Sequence, residues 1–388
     1  MKFSVQQPVF LNALQIVSKA VPQKPTHPIL INIRIVTYID QIILTGFDLS
    51  FGIEHKITEF NLYEPGAICL PAKLLLNIVS KQDSNSEIII STDDNNQCIL
   101  VCDNSEYQIL GMDTDEYPEL SSVTDKNSEQ NNDSFQEFIL NSSALLTAIK
   151  NTVFACSTDE SKQVLTGINF DISSERLKVA ATDGHRLAVI SITPDELELE
   201  IENEKSIITI PAKMLKELER ILIDKSLESI KLIEGNGNLS FQTITTKLVC
   251  RTLYGQYPNY SQLIPNGDKF STLVTIDRKA LIKSIEKASV ILDSPEGLIN
   301  LFFDHDNQQL TLSTQTKEVG GCSESLFAQT SGDLESIAFR CKYFLDGLKA
   351  MDSTEIQIKL TDKTGPCIII PLSNLDMLYL IMPVQMRK

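Results

Sequence analysis

The sequence predicts an α+β fold made of three copies of one unit, in which helices pack on antiparallel sheets. Three observations lead to this prediction. Each copy opens with apolar residues at helical spacing, at residues 10–21, 145–156 and 280–292. Each continues with a hairpin of alternating apolar and polar residues, at 31–46, 168–182 and 300–313. Each closes with strands followed by a proline, at positions 118, 258 and 383.

A second helix follows the hairpin in every copy. Leu-Pro-Ala-Lys at 70–73 and Ile-Pro-Ala-Lys at 210–213 place a proline where an early helical position favours it. The third copy reads Phe-Arg-Cys-Lys at 339–342 and lacks the proline. Lys73, Lys213 and Lys342 are therefore equivalent positions.

Domain boundaries are predicted where the apolar pattern lapses. A chain of 388 residues suits two or three domains. The stretch 122–135 is rich in Asn, Asp, Ser and Glu and is interpreted as a polar linker. The predicted domains are residues 1–121, 136–262 and 263–388.

Three such units in series have two possible arrangements. They are either independent, or joined edge to edge so that sheets continue from one copy to the next, which removes exposed strand edges. In the second case two free ends remain, and two head-to-tail contacts with a second chain would close a ring.

Bulk composition argues against several classes of protein. No apolar run approaches the roughly 18 residues of a membrane span, and the first residues lack the pattern of a secretory signal, so a cytoplasmic location is expected. The eight cysteines form no Cys-x-x-Cys pair and are expected to be reduced, buried thiols, with no metal or cofactor. The formal charge of −17 argues against an ordinary nucleic-acid binder, unless the basic residues share one surface.

The basic residues do recur on helix faces. Lys213, Lys216 and Arg220 are spaced i, i+3, i+7, opposite a leucine face. The helix that starts at Arg278 carries Lys279, Lys283 and Lys287 in addition. One such face is usually only solvated. Repeated in several helices, these faces would make a positive surface that suits phosphates without reading base sequence.

Four segments together resemble one family. They are Thr-Asp-Gly-His-Arg-Leu-Ala at 182–188, Tyr-Leu-Ile-Met-Pro-Val at 379–384, Gly-Gln-Tyr-Pro-Asn-Tyr at 255–260 and Met-Lys-Phe-Ser-Val at 1–5. The combination resembles the β subunits of bacterial DNA polymerase III, the sliding clamps, over the whole chain. The resemblance implies three clamp domains and a head-to-tail homodimeric ring, with helices lining a central hole around double-stranded DNA. It implies no catalysis and no cofactor.

The resemblance also implies partners and sites. The partners would be the DNA polymerase III alpha subunit, the clamp loader, and other polymerases and repair proteins that carry a clamp-binding peptide, at the nucleoid in the cytoplasm. In the implied peptide cleft, apolar residues form an adaptable floor, prolines a rigid rim, and His185 and Arg186 supply donors. The cleft residues are Leu165, Thr182, Gly184, His185, Arg186, Leu187, Pro258, Leu263, Leu380, Met382, Pro383 and Val384.

Two further residue sets follow from the same correspondence. The DNA-binding set is Lys24, Lys73, Lys213 and Arg220, to which the helix pattern adds Lys216. The dimer contact would set Tyr107 and Ile109 of one chain against Ile291 and Leu292 of the other. The chain departs from some members at Gln163 and Val164, where they carry a tyrosine pair, and in a longer tail, 385–388.

Two other functions remain possible from the residues alone. An enzyme would use Asp183 and His185 as an acid/base pair with Arg186 binding an anion, but no nucleophile or metal-ligand set is evident among four scattered histidines. A repeat scaffold that binds peptides but not DNA would suit the acidic balance.

Overall fold

The computed structural model describes residues 1–120, 135–173, 176–193, 205–223, 227–292, 297–316 and 320–385. The predicted linker lies outside these residues except for Phe135, and so does the tail after Gln385. Chain contacts divide the protein into two compact units. The first holds Met1–Leu140 with Ser226–Thr252, and the second holds Asn141–Lys225 with Leu253–Lys388. The division falls inside the second predicted copy, whose helices belong to the second unit.

Two α-helices per copy are present in the described residues, as the repeat predicts. They are α1 (Gln7–Val17), α2 (Ala72–Val79), α3 (Ser142–Lys150), α4 (Ala212–Leu222), α5 (Arg278–Ser289) and α6 (Cys341–Ala350).

The first helix of each copy ends earlier than its apolar spacing predicts. In the second copy, Asn151 Nδ2 donates to the carbonyl of Thr147 at 2.8 Å, and Thr152 Oγ1 donates to that of Ala148 at 2.7 Å. Side chains that bond to nearby carbonyls compete with helix continuation. The chain passes into a 3-10 turn at Val153–Ala155.

The strands follow the three copies. The first copy contains β1 (Lys2–Gln6), β2 (Asn32–Thr37), β3 (Ile42–Phe47), β4 (Phe51–Ile57), β5 (Asn61–Glu64), β6 (Gly66–Pro71), β7 (Glu87–Thr92), β8 (Gln97–Cys102) and β9 (Ser105–Leu110). The second contains β10 (Gln136–Asn141), β11 (Gly167–Ser173), β12 (Arg176–Thr182), β13 (Arg186–Ile192), β14 (Ser206–Pro211), β15 (Ser229–Gly235), β16 (Asn238–Gln242) and β17 (Thr246–Arg251). The third contains β18 (Thr272–Asp277), β19 (Leu298–Asp304), β20 (Gln309–Thr316), β21 (Gly320–Phe327), β22 (Gln329–Gly332), β23 (Ser336–Arg340), β24 (Glu355–Leu360), β25 (Cys367–Pro371) and β26 (Asp376–Ile381).

The first unit has two sheets, ordered β5-β1-β7-β8-β9 and β10-β15-β16-β17-β4-β3-β2-β6. Alternate strand residues such as Phe3, Ile33 and Leu44 are fully buried beneath the helices, together with Phe10 and Leu14 of α1. The hairpin pattern in the sequence predicted this alternation.

The second unit also has two sheets, ordered β14-β11-β12-β13-β26-β25-β24-β18-β22 and β21-β20-β19-β23. Its core contains Phe170, Phe339 and Phe344, with Tyr379 as the largest fully buried side chain. Gly347 of α6 lies so close to the Tyr379 ring that an added Cβ would come within 2.2 Å of it.

Sheets continue from one copy to the next, which confirms the second of the two predicted arrangements. β17 of the second copy pairs antiparallel with β4 of the first, and β26 of the third copy pairs antiparallel with β13 of the second. β4, β13 and β21 hold equivalent places in their copies, and so do β9, β17 and β26. Within the described strands, β9 and β21 are the members of these two sets that lie at a sheet edge.

The second helices confirm the alignment of the copies. Lys73, Lys213 and Lys342 are each the second residue of α2, α4 and α6. Pro71 and Pro211 do not lie inside the helices, however. Each ends the preceding strand, with ψ of 113° and 129°, and the helix begins at the next residue.

All eight cysteines lie in the described residues, and each is a free thiol; Cys322 alone is partly exposed. Burial raises the pKa of the Cys156 and Cys250 thiols to about 12. Among the described helices, none has the length and apolar content needed to cross a membrane.

Candidate functional site

The turn between β12 and β13 is fixed by its own polar side chains. Asp183 Oδ1 accepts the backbone N–H groups of His185 at 2.9 Å and Arg186 at 3.1 Å. Thr182 Oγ1 donates to the carbonyl of Arg186 at 2.6 Å and accepts the Gly184 N–H at 3.1 Å. Gly184 has a φ of +93°, which glycine tolerates best. We call residues 182–186 the turn.

The side chain of Arg186, the last residue of the turn, takes part in a buried ionic network. Its Nε donates to Asp183 Oδ2 at 3.0 Å, its Nη1 to Asp346 Oδ2 at 2.7 Å, and its Nη2 to the carbonyl of Phe154 at 2.6 Å. Its guanidinium carbon lies 4.4 Å from the centroid of the Tyr343 ring. The network joins β13 to α6 and to the 3-10 turn that contains Phe154.

This placement changes the role expected of Arg186. The side chain is only 6% exposed, and each of its three nitrogens is engaged within the protein. Burial opposes its charge, but Tyr379 and the Asp346 and Asp183 groups favour it, and the net effect raises the pKa of Arg186. Arg186 therefore positions the turn, and of the two predicted donors only His185 is exposed.

His185 connects the turn to the end of the chain. Its ring stacks on Tyr343 with a centroid distance of 6.3 Å. Its carbonyl accepts the Met382 N–H at 3.0 Å, and two residues later the Val384 N–H donates to the carbonyl of Ala338 at 2.8 Å. Backbone bonds thus hold Met382 against the turn and Val384 against β23.

An apolar cluster lies next to the turn. Leu187 and Leu380 face each other across the β13–β26 pairing and pack with Ala180, Val189, Tyr260 and Ile368. Leu187 and Leu380 are 1% and 3% exposed, so in the predicted cleft they would lie at the base and not at the surface.

The other predicted cleft residues are more accessible. Met382 is 40% exposed and Leu263 is 56% exposed, in a 3-10 turn (Tyr260–Leu263) that begins with the clustered Tyr260. Pro258 is exposed, whereas Pro383 and Val384 are half-buried. Leu165 is half-buried in the 3-10 segment Glu160–Thr166, and its carbonyl accepts the Ser157 N–H. Membership of the cleft stays a prediction for the set as a whole.

Sequence reasoning missed several residues that build this site. Asp346 is 160 residues from Arg186, so no local pattern indicates their pairing. Tyr343 and Phe154 were likewise not identified. Tyr257 lies in the Gly-Gln-Tyr-Pro-Asn-Tyr segment, and its hydroxyl accepts the Thr182 N–H at 3.0 Å. Burial raises the pKa of Tyr257, which keeps the hydroxyl neutral.

The predicted DNA-binding residues are all exposed, and they divide between the two units. Lys24, in a loop, and Lys73, on α2, belong to the first unit. Lys213, Lys216 and Arg220 belong to the second and lie on α4, whose opposite face buries Met214, Leu215, Leu218 and Leu222. Arg220 Nη1 contacts both oxygens of Glu217, at 2.9 and 2.7 Å.

The basic face of α5 is smaller than the sequence predicts. Arg278 turns away from it, because its Nε donates to the carbonyl of Ser353 at 2.7 Å and its Nη1 to that of Leu348 at 3.0 Å. It therefore satisfies one carbonyl in the last turn of α6 and one in the segment that follows the helix. Lys279, Lys283 and Lys287 remain exposed.

The predicted dimer contacts differ in exposure. Tyr107, Ile291 and Leu292 are half-buried, but Ile109 is only 3% exposed in its own chain. Three apolar neighbours of these positions and of β21 are far more exposed: Leu110 at 76%, Val290 at 83% and Phe327 at 73%.

The enzyme interpretation finds no support in this geometry. The Asp183 carboxylate is occupied by backbone N–H groups and Arg186, and its bond with His185 involves the main chain and not the imidazole. The described residues contain no group of three or more His, Cys, Asp and Glu side chains that could hold a metal.

Comparison with known families gives three adjoining matches, all to the DNA polymerase III beta subunit. Its N-terminal domain matches residues 1–121, its central domain residues 139–259, and its C-terminal domain residues 261–385.

Individual relatives agree along their whole length. The chain is 37% identical over 391 residues to a beta sliding clamp of Synechococcus elongatus and 36% identical over 401 residues to one of Synechocystis, with 100% of each chain covered. A crystal structure of the DNA polymerase sliding clamp from Bacillus subtilis superposes with a TM-score of 0.89 at 29% identity and covers 100% of both chains.

Proposed function

The chain belongs to the DNA polymerase III beta subunit family, and on this premise we propose that it is a DNA sliding clamp. In this role it is a processivity factor that encircles duplex DNA and tethers the replicative polymerase. The alternative, a peptide-binding scaffold that does not bind DNA, is not favoured by this membership.

The observation that carries the proposal is the repeated sheet junction. Twice in this chain, the last strand of one copy pairs with the β4-type strand of the copy before it. The same rule pairs β9 of the first copy with β21 of a third copy, which must come from another chain. Two such contacts join two chains head to tail and close a ring of six domains.

The exposed apolar residues support this closure. Leu110 ends β9, Phe327 ends β21, and Val290 follows α5, and all three would lose water on pairing. We include Tyr107, Ile109, Ile291 and Leu292 in the interface, with Ile109 contributing mainly backbone because its side chain is already buried.

DNA is held by enclosure and by a positive lining. Lys24, Lys73, Lys213, Lys216 and Arg220 are the proposed contacts, and all are exposed. Because these side chains contact phosphates and not bases, the affinity of the protein for DNA without loading is weak and falls steeply as the salt concentration rises. The net charge of −17 does not oppose this, since exposed charges beyond about 10 Å are screened at ordinary ionic strength.

Partners dock at the cleft beside the turn. The proposed partners are the polymerase III alpha subunit, the clamp loader, and other polymerases and repair proteins, each carrying a short apolar peptide. The half-exposed Met382 and Leu263 offer adaptable apolar contact over the buried Leu187 and Leu380. The protein itself catalyses nothing and acts on DNA in the cytoplasm.

A retention assay tests the function directly. The protein is loaded by a bacterial clamp loader onto nicked circular DNA and passed through a gel-filtration column. We expect it to stay with the circle and to be released when the DNA is cut at one site. Release from intact circles, or retention on linear DNA, would contradict enclosure.

Charge reversal tests the proposed lining. Lys213→Glu with Lys216→Glu should strongly reduce clamp-dependent synthesis and leave peptide binding intact. The matched control is Lys269→Glu with Lys363→Glu, two exposed lysines of the same unit that lie outside the predicted set. Equal synthesis by the two double variants would count against the inward placement of α4.

A further inference from the structure

The second unit contains a polar cavity beside the turn, which shares His185 and Arg186 with the predicted cleft but none of the cleft's apolar residues. Its volume is about 520 Å³, and it is lined by the turn, by residues 156–162 and by the start of α6. Apart from Cys156, every lining residue carries a hydroxyl, an imidazole or a charged group. We call it the basic cavity.

The two carboxylates of the basic cavity are already engaged. Asp183 is held by Arg186 and by two backbone N–H groups, as described for the turn. Asp159 accepts the hydroxyl of Ser161 at 2.7 Å and its N–H at 3.0 Å, and these bonds, with a smaller effect of Lys162, lower the pKa of Asp159. Neither carboxylate forms an ion pair with Lys162 or Lys342.

The two lysines of the cavity, by contrast, carry positive charges that no described carboxylate pairs with. Lys162 and Lys342 are exposed, and neither forms an ion pair with any residue that the structure describes. Ser157 Oγ accepts the Asp159 N–H at 3.1 Å, so its own O–H can donate into the cavity. Two ammonium groups and a hydroxyl suit an anion with several oxygens.

The equivalence of the copies indicates which anion would bind. Lys342 is the third-copy counterpart of Lys73 and Lys213, both of which are proposed to contact DNA. None of the apolar residues of the predicted cleft lines the cavity, and Leu187 and Leu380 pack in a separate cluster. Resting on the proposed clamp function, we infer that the basic cavity binds a phosphate of the DNA backbone, with Lys162 and Lys342 as its ionic partners and Ser157 as a hydroxyl donor.

The test measures binding of the intact protein to a short fluorescein-labelled duplex, without a loader, over a series of salt concentrations. Lys162→Gln with Lys342→Gln should raise the Kd at low salt about three- to tenfold and reduce the slope of log K against log salt by about 1. The control, Lys269→Gln with Lys363→Gln, removes the same charge from exposed sites outside the cavity and should leave the slope unchanged. Lys162→Arg with Lys342→Arg should restore wild-type behaviour.

Other outcomes would overturn the inference in distinguishable ways. If the wild type binds the duplex with a steep salt slope but the cavity and control variants match, the cavity inference fails and the clamp function stands. If the wild type shows no salt-dependent binding, the cavity inference fails, and the retention assay on nicked circular DNA decides the clamp function separately. If the cavity variant loses affinity for a Gln-x-x-Leu-Phe type peptide while its DNA slope is unchanged, the cavity belongs to the peptide.

Discussion

The two internal sheet junctions share one strand pairing but differ in chemistry. In the first unit, β17 and β4 pair through Leu248 opposite Ile53, and the buried polar contact beside them is neutral, with His55 Nδ1 2.8 Å from Thr246 Oγ1. In the second unit, β13 and β26 pair through Leu187 opposite Leu380, and the neighbouring buried contact is the ionic network of Arg186.

The comparison distinguishes the contacts that any continued sheet needs from the ionic network that only the second junction has. Continuing a sheet needs backbone bonds and apolar neighbours, which both junctions provide. A buried ion pair is not required for stability, because apolar replacements of similar volume are often as stable. The ionic network at the second junction instead fixes the turn beside the predicted cleft. The first junction has no predicted cleft beside it. Four substitutions test this contrast, in decreasing order of expected effect.

Arg186→Ala should have the largest effect. It leaves Asp183, 11% exposed, without its cationic partner, and frees α6 from β13. Removing one member of a buried pair costs about 3–5 kcal/mol of unfolding free energy. Urea unfolding at neutral pH measures it. The control is Arg220→Ala, whose pair with Glu217 involves a 59% exposed arginine, with an expected loss below about 1 kcal/mol. Equal losses would refute the special role of the second junction.

Acid should weaken the first junction through His55. Burial lowers the pKa of His55 to about 4 from 6.5, so at pH 7 the ring is neutral in the folded chain and mostly neutral in the unfolded chain. Between pH 6.5 and 4 only the unfolded chain gains the proton, so stability falls as pH falls, by about 3 kcal/mol at pH 4. His55→Gln should remove this component. Identical pH slopes for wild type and variant in urea unfolding would contradict it.

Met382→Ala should weaken peptide binding about tenfold with little change in stability, because the side chain is 40% exposed and its backbone bond to His185 remains. Fluorescence anisotropy with a Gln-x-x-Leu-Phe type peptide measures it, and truncation after Ile381 should abolish binding without dissociating the dimer. Leu372→Ala, at a 44% exposed position outside the predicted cleft, is the control. Equal affinities for both variants would place the cleft elsewhere.

Thr246→Val should have the smallest effect. It removes the hydroxyl partner of His55 at the first junction and should cost about 1 kcal/mol in unfolding free energy. Thr311→Val, which removes a surface hydroxyl bond to Ser325, should cost less. Neither substitution should alter peptide affinity. A loss of peptide affinity in Thr246→Val would contradict the view that only the second junction supports the cleft.

The sequence predicted the features that depend on local pattern. Alternation at 168–182 predicted a hairpin, and the equivalence of Lys73, Lys213 and Lys342 predicted three aligned helices. It did not predict the ion pair of Arg186 with Asp346, because their proximity arises from the pairing of β13 with β26. Nor did it predict that Arg278 would turn toward Ser353, since helical spacing alone does not include the carbonyls of a neighbouring segment of the chain.

Helix ends were also beyond local pattern. Apolar spacing continues past Lys150, but side-chain bonds from Asn151 and Thr152 end the helix there. The choice between separate and joined sheets was open from sequence, because strand patterns show which residues are buried and not which strand lies alongside.

The central claim is that the junction rule continues between chains, from β9 to β21. Sedimentation equilibrium of the purified protein at micromolar concentration tests it most directly. The account predicts a species of twice the 43.3 kDa chain mass, which Leu110→Glu with Phe327→Glu reduces to a folded monomer. A wild-type protein that sediments as a single 43.3 kDa chain would contradict it.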